Sequence, residues 1–199
     1  MSKIRFTEPN REILARRDSI INDLTRLVDP AGLITSTDEC RAYETDALTA
    51  YRKMPLAVVL PKTTEEVSAV LKYCHDTGVK VVPRGAGTSL AGGAIPSEDA
   101  VVLGLSKMNR VLAVNYDDRF IRVEAGVTNL SVTAVVAENG FFYAPDPSSQ
   151  LACTIGGNIA NNSGGAHCLK YGVTTNNLLG VRMVLILSLI HISEPTRPY

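Results

Sequence analysis

The sequence has no tryptophan, only three histidines and four cysteines, and no excess of either charge. Because twenty basic residues balance twenty acidic ones, a broad surface for nucleic acid is not expected. The cysteines (positions 40, 74, 153 and 168) lack the close spacing of a zinc or iron–sulfur site, so no metal is predicted. Their scatter is typical of free thiols in a reducing cytoplasm rather than of a disulfide framework.

Long apolar runs are also missing. No window reaches the ~18–20 consecutive apolar residues of a membrane span, and residues 1–17 are charged, unlike a secretory signal. Hydrophobic residues nevertheless fill 45% of the 199 positions, enough for a sizeable core. We expect a globular cytoplasmic protein without a transmembrane segment, and peripheral attachment to the inner membrane is left open.

Residues 1–54 are interpreted as an N-terminal helical extension. Apolar side chains recur at helical spacing between positions 10 and 28, with Asn10 as the N-cap and Pro30 beyond the end. A short strand and a short helix around residues 39–43 are expected before the main domain begins.

The main domain opens with a strand, a helix and a second strand. The first strand covers residues 56–60, and the second covers residues 79–82. Between them, Thr63 and Glu66 are spaced as a capping box that opens the helix, and Gly78 suits its end. This order predicts a parallel, right-handed βαβ unit.

The elements that follow differ from a repeating βαβ pattern. Residues 110–126 read as an antiparallel hairpin, residues 129–140 as a helix, and residues 178–186 as a further strand. The fold class predicted is therefore α+β, with mixed and antiparallel strands after the βαβ start, rather than a doubly wound sheet.

Two glycine-rich segments stand out, the first at residues 83–93 ("PRGAGTSLAGG") and the second at residues 153–172 ("CTIGGNIANNSGGAHCLKYG"). Small residues let backbone N–H groups converge on an anion, and two such segments suit a cofactor with a pyrophosphate. A Walker A loop is excluded because no lysine follows Gly93. A Rossmann fingerprint is excluded because Leu90 stands at its third glycine. Tight turns without a ligand are the alternative.

Residues 55–186 resemble the N-terminal part of the FAD-binding domain shared by the vanillyl-alcohol oxidase and p-cresol methylhydroxylase (PCMH) superfamily. The runs that carry the likeness are "YETDALTAYRKMPLAVVLPKTTEEV", "PRGAGTSLAGGAIP", "YAPDPSSQLACTIGGNIANNSGGAHCLKYG" and "NLLGVRMVL". They closely resemble the FAD-linked subunits of bacterial glycolate oxidases, and D-lactate and D-2-hydroxyglutarate dehydrogenases share much of them. The resemblance implies an incomplete PCMH-type domain with FAD as its cofactor.

In this family the first segment wraps the FAD pyrophosphate, and the second runs along the flavin and ribityl chain. The residues implied in the first segment are Arg84, Gly85, Ala86, Gly87, Thr88 and Ser89. Those implied in and before the second segment are Asp146, Ser149, Cys153, Thr154, Gly156, Gly157, Asn158, Asn162, Gly164, Gly165 and Tyr171. Some relatives attach flavin covalently through a histidine in the first segment. This chain has Thr88 and no histidine there, so non-covalent binding is implied.

The resemblance also implies an activity and partners. The expected reaction is oxidation of a small 2-hydroxy acid, glycolate to glyoxylate, by hydride transfer to flavin N5. D-lactate or D-2-hydroxyglutarate as substrate, or a non-catalytic flavin-binding accessory subunit, are the alternatives. A companion FAD-domain subunit and an iron–sulfur subunit are the implied partners. No catalytic residue is assigned, because the family's catalytic segments lie beyond position 186.

Two residue pairs allow other interpretations. His167 and Cys168 could form a catalytic pair, but neighbours on an extended chain point to opposite faces, which favours structural or flavin-lining roles. Arg52 and Lys53 could attract a substrate carboxylate, or they could be an ordinary solvated pair.

Residues 187–199 ("LSLIHISEPTRPY") differ in character from the rest of the chain. They resemble the in-frame translation of a transposase-end adapter used in preparing sequencing libraries, and we interpret them as a non-native tail. A natural proline-terminated tail is the alternative. With later strands missing and an edge unpaired, the 199-residue chain by itself is expected to be insoluble or flavin-free.

Overall fold

The computed structural model describes residues 7–186 and, for the backbone alone, residues 189–193. The helices are α1 (Arg11–Ala15), α2 (Arg17–Leu24), α3 (Thr37–Cys40), α4 (Thr64–Thr77), α5 (Asn129–Val136), α6 (Ile155–Asn161) and α7 (Cys168–Tyr171). The strands are β1 (Leu33–Ile34), β2 (Ala57–Val59), β3 (Lys80–Arg84), β4 (Ala100–Gly104), β5 (Val111–Asn115), β6 (Phe120–Val123), β7 (Gly180–Val184) and β8 (Leu189–Ser193).

A four-stranded mixed sheet forms the centre of the fold, in the order β1-β2-β4-β3. Strands β2 and β3 are both parallel to β4, which lies between them, and β1 is antiparallel to β2. The predicted βαβ unit is therefore confirmed as parallel, with a strand from later in the chain inserted between its two strands. Because β3 and β4 run the same way, the loops that follow them leave the sheet at the same edge.

The core lies on both faces of this sheet, which explains why β2 and β4 are apolar without alternation. On one face, helices α1, α2 and α4 pack through Ile20, Leu24 and Val70 against strand residues such as Val59 and Val101. On the other face, Ile34 of β1 and the segment that follows it cover the sheet, the latter through buried Cys40 and partly buried Tyr43 and Met54.

The N-terminal stripe forms two helices rather than one. Asn10 caps α1 as predicted, since its side chain accepts the Glu12 N–H, but the helix is interrupted at Arg16 before α2 begins. Both helices bury apolar residues, namely Ile13 in α1 and Ile20 and Leu24 in α2. The break at Arg16 thus divides the predicted helix into two shorter helices, and both contribute apolar residues to the core.

Helix α4 begins and ends as its sequence indicates. Thr63 accepts the Glu66 N–H at 3.1 Å. In a capping box the Glu66 carboxylate would accept the N–H of Thr63. Here it accepts the N–H of Lys62, one residue earlier in the chain. Gly78 ends the helix with a left-handed backbone.

The remaining strands form two separate antiparallel pairs. Strands β5 and β6 make the predicted hairpin, with an irregular register between Val111 and Ala113. Helix α5 follows and ends, after one 3₁₀ turn, at Gly140. Strand β7 pairs with β8 rather than with the central sheet. The rest of the predicted non-native tail lies outside the described residues.

Candidate functional site

The first glycine segment leaves the sheet directly after β3. Within residues 7–186, the backbone N–H groups of residues 85–89 donate to no other protein atom. Ser89 accepts the N–H of Ala91 with its hydroxyl, and Gly87 accepts the N–H of Ala47 with its carbonyl. Five successive amides are thus available to a ligand. Successive free N–H groups of this kind bind anions where they converge.

The Arg84 side chain turns into the protein, and its guanidinium lies against Gly87 of this segment. It is buried, donates to the Thr45 carbonyl at 2.7 Å, and lies over the Tyr43 ring at 5.6 Å. Burial lowers the pKa of Arg84, while the nearby Tyr43 and Asp46 oppose this shift. The hydrogen bond to Thr45 and the contact with Tyr43 therefore join the guanidinium to the segment before β2.

The second glycine segment is largely helical and not a loop, which corrects the sequence prediction. Thr154 caps α6 by accepting the Gly157 N–H, and Asn162 ends the helix with a left-handed backbone. The sequence carried a signal for this helix, since Ile155 and Ile159 are four residues apart and a capping residue precedes them. Two consecutive glycines masked that signal because glycine disfavours helix.

The first amides of α6 already have protein partners. Ile155 donates to the Val127 carbonyl and Gly156 to the Ala125 carbonyl, both at 2.8 Å. Gly157 donates to the Thr154 hydroxyl at 3.3 Å. This end of the second segment therefore presents packed backbone to the site, whereas the first segment presents free amides.

The structure brings the two segments into contact. A Cβ added to Gly85 would lie 2.6 Å from the Thr154 hydroxyl oxygen and 3.5 Å from the Gly157 Cα. Only glycine at position 85 permits this approach. The contact places the free amides of one segment beside the helix of the other, which is the juxtaposition that the cofactor prediction requires.

A cleft of about 380 Å³ opens at this junction. Sequence reasoning named Gly85, Ala86 and Thr154 among its lining and missed the other wall, which comes from the loop after β4 and from the start of α5. The lining residues missed are Ser106, Asn109, Val111, Gly126, Val127, Thr128, Ser131 and Ala152. The loops that follow parallel neighbouring strands leave the sheet at the same edge. The loop after β4 could therefore have been expected beside the first glycine segment, which follows β3.

One buried polar atom near the junction lacks a partner. Asn158 is 1% exposed, and its amide nitrogen Nδ2 makes no hydrogen bond within residues 7–186. A buried amide without a partner is costly, so it marks a place where a ligand acceptor fits. Cys153 is also buried, and its carbonyl accepts the Asn129 N–H.

Asp146, Gly164 and Gly165 form a second cluster beyond the far end of α6. The Asp146 carboxylate contacts His167 twice, accepting its backbone N–H at 3.0 Å and pairing with its Nδ1 at 2.8 Å. A Cβ at Gly165 would overlap the Asp146 carbonyl oxygen, and one at Gly164 would overlap the Cys168 sulfur. These glycines serve close packing between the segment at 146 and α7.

The interpretation of His167 and Cys168 as extended residues is wrong. His167 has helical backbone angles and precedes α7, which Cys168 begins. The Cys168 sulfur accepts the Gly165 N–H at 2.9 Å, while the imidazole faces Asp146. The two side chains thus have different partners, and a structural role for both agrees with this geometry.

The remaining predicted residues lie at the margins of these clusters. Asn162 accepts the Thr175 N–H with its side chain, and the Ser149 carbonyl accepts the N–H groups of Ala152 and Cys153. Tyr171 is partly exposed and meets Phe142 edge to face at 5.8 Å. Thr88 is half-buried in the first segment.

Two other sequence-level candidates have partners elsewhere. Arg52 pairs with Glu44 at 3.3 Å, and Lys53 pairs with Glu98 at 3.0 Å. No group of three or more histidine, cysteine or acidic side chains that could hold a metal occurs in the described part of the chain. Among the same residues, no helix is both long and apolar enough to cross a bilayer.

The profile of the FAD binding domain family matches residues 55–188, and the chain belongs to that family. Glycolate oxidase subunit GlcD of Escherichia coli (strain K12) is 48% identical over 167 residues, covering 84% of this chain and 34% of that protein. D-lactate dehydrogenase of Archaeoglobus fulgidus is 38% identical over 168 residues, covering 84% of this chain and 37% of that protein. The chain spans about a third of the length of these curated relatives.

Solved structures show the same fold. Alkyldihydroxyacetonephosphate synthase superposes with a TM-score of 0.81 at 20% identity, covering 98% of this chain and 37% of that one. The predicted fold class, an α+β fold of the PCMH type, is confirmed. FAD is the cofactor of the family. The free amides of residues 85–89, the close approach at Gly85 and the unpartnered Asn158 amide fit such a dinucleotide.

Proposed function

We propose that this chain supplies the FAD-binding wall of a flavoenzyme that oxidises a small 2-hydroxy acid, glycolate to glyoxylate. The observation that carries the proposal is the junction at Gly85, where five unpaired amides of the first segment meet the Thr154 end of α6. The 48% identity with GlcD supports glycolate as the substrate.

The first segment would hold the pyrophosphate. Residues 85–89 offer successive N–H donors, and Thr88 and Ser89 add hydroxyl groups in the same run. Several N–H donors directed at one phosphate compensate its charge without a basic side chain. The absence of a histidine from residues 83–93 supports non-covalent binding.

The second segment would hold the rest of the cofactor mainly by shape and side chains. The first amides of α6 are already paired, so the candidate donor here is Asn158 Nδ2. Thr154, which caps the same helix, and Ala152 line the cleft. A buried amide that gains an acceptor recovers a hydrogen bond worth about 1 kcal/mol.

FAD, when bound, supplies an acceptor for the hydride that leaves the carbon of the 2-hydroxy acid. The hydroxyl proton must pass to a base, and the described residues offer no group that we assign to this role. Residues 85–89 and α6 would bind and orient the cofactor, and the close approach at Gly85 fixes the two segments against each other.

D-lactate is the alternative substrate, favoured by the 38% identity with a D-lactate dehydrogenase. D-2-hydroxyglutarate and a non-catalytic accessory role remain predictions from the sequence alone. Companion FAD-domain and iron–sulfur subunits and a cytoplasmic location are likewise predictions, and attachment to the inner membrane has no support. An iron–sulfur cluster on this chain is disfavoured because Cys40, Cys74 and Cys153 are buried and separate.

The cofactor proposal is tested by flavin binding. Because the chain by itself is expected to be insoluble or flavin-free, the longer protein that contains it is stripped of flavin and titrated with FAD. We expect quenching of flavin fluorescence that saturates at one FAD per chain, with riboflavin binding at least about a hundredfold more weakly because it lacks the pyrophosphate. Equal affinity for riboflavin and FAD would contradict a pyrophosphate site at residues 85–89.

The substrate proposal needs turnover by the longer protein that contains this chain. Reduction of an artificial dye by glycolate, D-lactate and D-2-hydroxyglutarate is compared at equal concentrations. We expect the highest kcat/KM with glycolate. A higher kcat/KM with D-lactate would show that D-lactate, and not glycolate, is the substrate. If none of the three acids reduces the dye, the result supports the accessory role.

A further inference from the structure

The first glycine segment is supported from below by residues that lie outside the family match. The Arg84 guanidinium lies directly under Gly87, where any Cβ would overlap it. Gly87 has a φ of 73°, a conformation that glycine adopts without strain. The shape of the loop is therefore set by one buried arginine and one glycine.

Residues 43–47 complete this support. Arg84 donates to the Thr45 carbonyl at 2.7 Å and lies over Tyr43, and Ala47 donates its N–H to the Gly87 carbonyl at 3.0 Å. Each contact joins the first segment to a stretch about forty positions earlier in the chain. The family profile begins only at residue 55, so this support comes from the predicted N-terminal extension.

Asp46 adds a buried acidic side chain to the same stretch. It is 4% exposed, and its Oδ2 accepts no hydrogen bond within residues 7–186, while Oδ1 accepts the Leu48 N–H at 2.9 Å. A buried carboxylate oxygen without a donor is unfavourable unless a nearby cation offsets its charge. Arg84 is such a cation, since Asp46 interacts with it electrostatically.

We propose that Arg84 is a positioning residue and not a phosphate ligand: with Tyr43, Thr45 and Asp46 it braces the first segment, so that the amides of residues 85–89 stay turned toward FAD. The proposal rests on the proposed FAD site. It assigns the residues at 43–47 to the cofactor wall, although they precede the matched domain. It also explains why a basic residue beside the pyrophosphate loop points inward.

The test compares two arginines that make the same kind of contact. Arg17 donates to the Thr35 carbonyl at 2.7 Å, as Arg84 does to Thr45, but it lies in α2. Arg84→Met and Arg17→Met are made in the longer protein that contains this chain. FAD affinity is measured by fluorescence quenching at low and high salt. In flavin-free protein, the rate of chymotrypsin cleavage after the exposed Leu90 reports the mobility of the first segment.

Arg84→Met is expected to weaken FAD binding about tenfold at both salt concentrations and to speed cleavage at Leu90 about fivefold, while Arg17→Met changes neither by more than about twofold. Arg84→Lys should restore neither property, because lysine has no planar fork to join Thr45 and Tyr43. The proposal is overturned if Arg84→Lys recovers FAD affinity and the affinity lost in Arg84→Met is larger at low salt than at high salt. Residue 84 would then be a direct phosphate ligand.

A milder variant keeps the test decisive if Arg84→Met does not fold. Tyr43→Leu retains Arg84 and its bond to Thr45, and we expect about a threefold change in both readouts. Unchanged cleavage at Leu90 in this variant and in Arg84→Met would also overturn the brace. If the longer protein with Arg84 intact binds no FAD, the proposed function fails, whereas the flavin-free cleavage rates still decide whether the brace exists.

Discussion

The two glycine-rich segments have similar compositions and opposite uses. In the first, the amides of residues 85–89 have no protein partner, and the loop is shaped by Arg84 beneath it. In the second, the first amides of α6 are paired, and Gly156 packs against Ala125. Glycine content therefore indicates close backbone approach in both places, but it does not say whether a ligand or the protein itself is what approaches.

The largest expected effect is in the second segment. Gly165→Ala would force a Cβ into the Asp146 carbonyl, which is backbone and cannot move aside cheaply. We expect a loss of about 3 kcal/mol in the free energy of unfolding, measured by urea denaturation. Gly93→Ala in the first segment is the matched control, because a Cβ there meets nothing within 4 Å. It should be neutral or stabilising by up to about 1 kcal/mol.

The next effect concerns the strands that carry the first segment. Asp99 is 1% exposed at the other end of β3, where it pairs with Lys80 and accepts bonds from Ser97 and the Asn10 N–H. Burial raises the pKa of Asp99, but the bonds from Lys80, Ser97 and Asn10 outweigh it and lower that pKa from 3.8 to about 2. This shift corresponds to about 2 kcal/mol of stability at neutral pH.

Because the folded-state pKa of Asp99 lies below the unfolded value, its contribution is present above about pH 4 and is lost as the pH falls toward about 2. Asp99→Asn should therefore be less stable at pH 7 by about 2 kcal/mol and lose less stability between pH 4 and pH 2 than the parent chain. Equal acid sensitivity of the two proteins would contradict this assignment. The measurement is the free energy of unfolding in urea across that pH range.

A smaller effect tests the contact between the segments. Gly85→Ala brings a Cβ to 2.6 Å from the Thr154 hydroxyl, and Thr154→Ala removes the cap of α6. We expect losses of about 1–2 and about 1 kcal/mol respectively, with the double variant less destabilised than the sum by about 1 kcal/mol. Strict additivity in urea denaturation would show that the two segments do not touch in solution.

The smallest effect concerns a single hydrogen bond inside the second segment. Cys168→Ala removes the acceptor of the Gly165 N–H, and we expect a loss of no more than about 1 kcal/mol. Cys168→Ser retains an acceptor and serves as the control. FAD affinity should stay the same in both variants, because this cluster lies beyond the far end of α6. A large change in affinity would place the Cys168 cluster against the cofactor.

Most of the secondary structure could be predicted because its signals are local. Thr63 and Gly78 bound α4 through hydrogen bonds to residues a few positions away, and the hairpin turn at residues 116–119 closes on itself. The insertion of β4 between β2 and β3 could not be predicted, because it depends on which strand edges meet after the chain has folded. The break at Arg16 and the helix after Thr154 were missed for the same kind of reason, since packing overrides propensity there.

The sequence identified the residues of the two segments but not how they are arranged in the candidate site. The residues of both segments were identified, and the contact at Gly85 confirms that they meet. The inward turn of Arg84 could not be foreseen, because its partners Tyr43 and Thr45 lie in a stretch that carries no motif. The cleft wall at Ser106 and Asn109 was missed because it depends on the parallel pairing of β3 with β4.

The sequence by itself determined the ends of α4, the hairpin of β5 and β6 and the positions of the two small-residue segments, because capping, periodicity and glycine act over a few residues. The PCMH-type fold was implied by the resemblance to that superfamily. The tertiary structure alone decided which amides stay free. An N–H is available only if no carbonyl or hydroxyl from elsewhere in the chain reaches it. Ala125 and Val127 reach those of α6, whereas no described residue reaches those of residues 85–89.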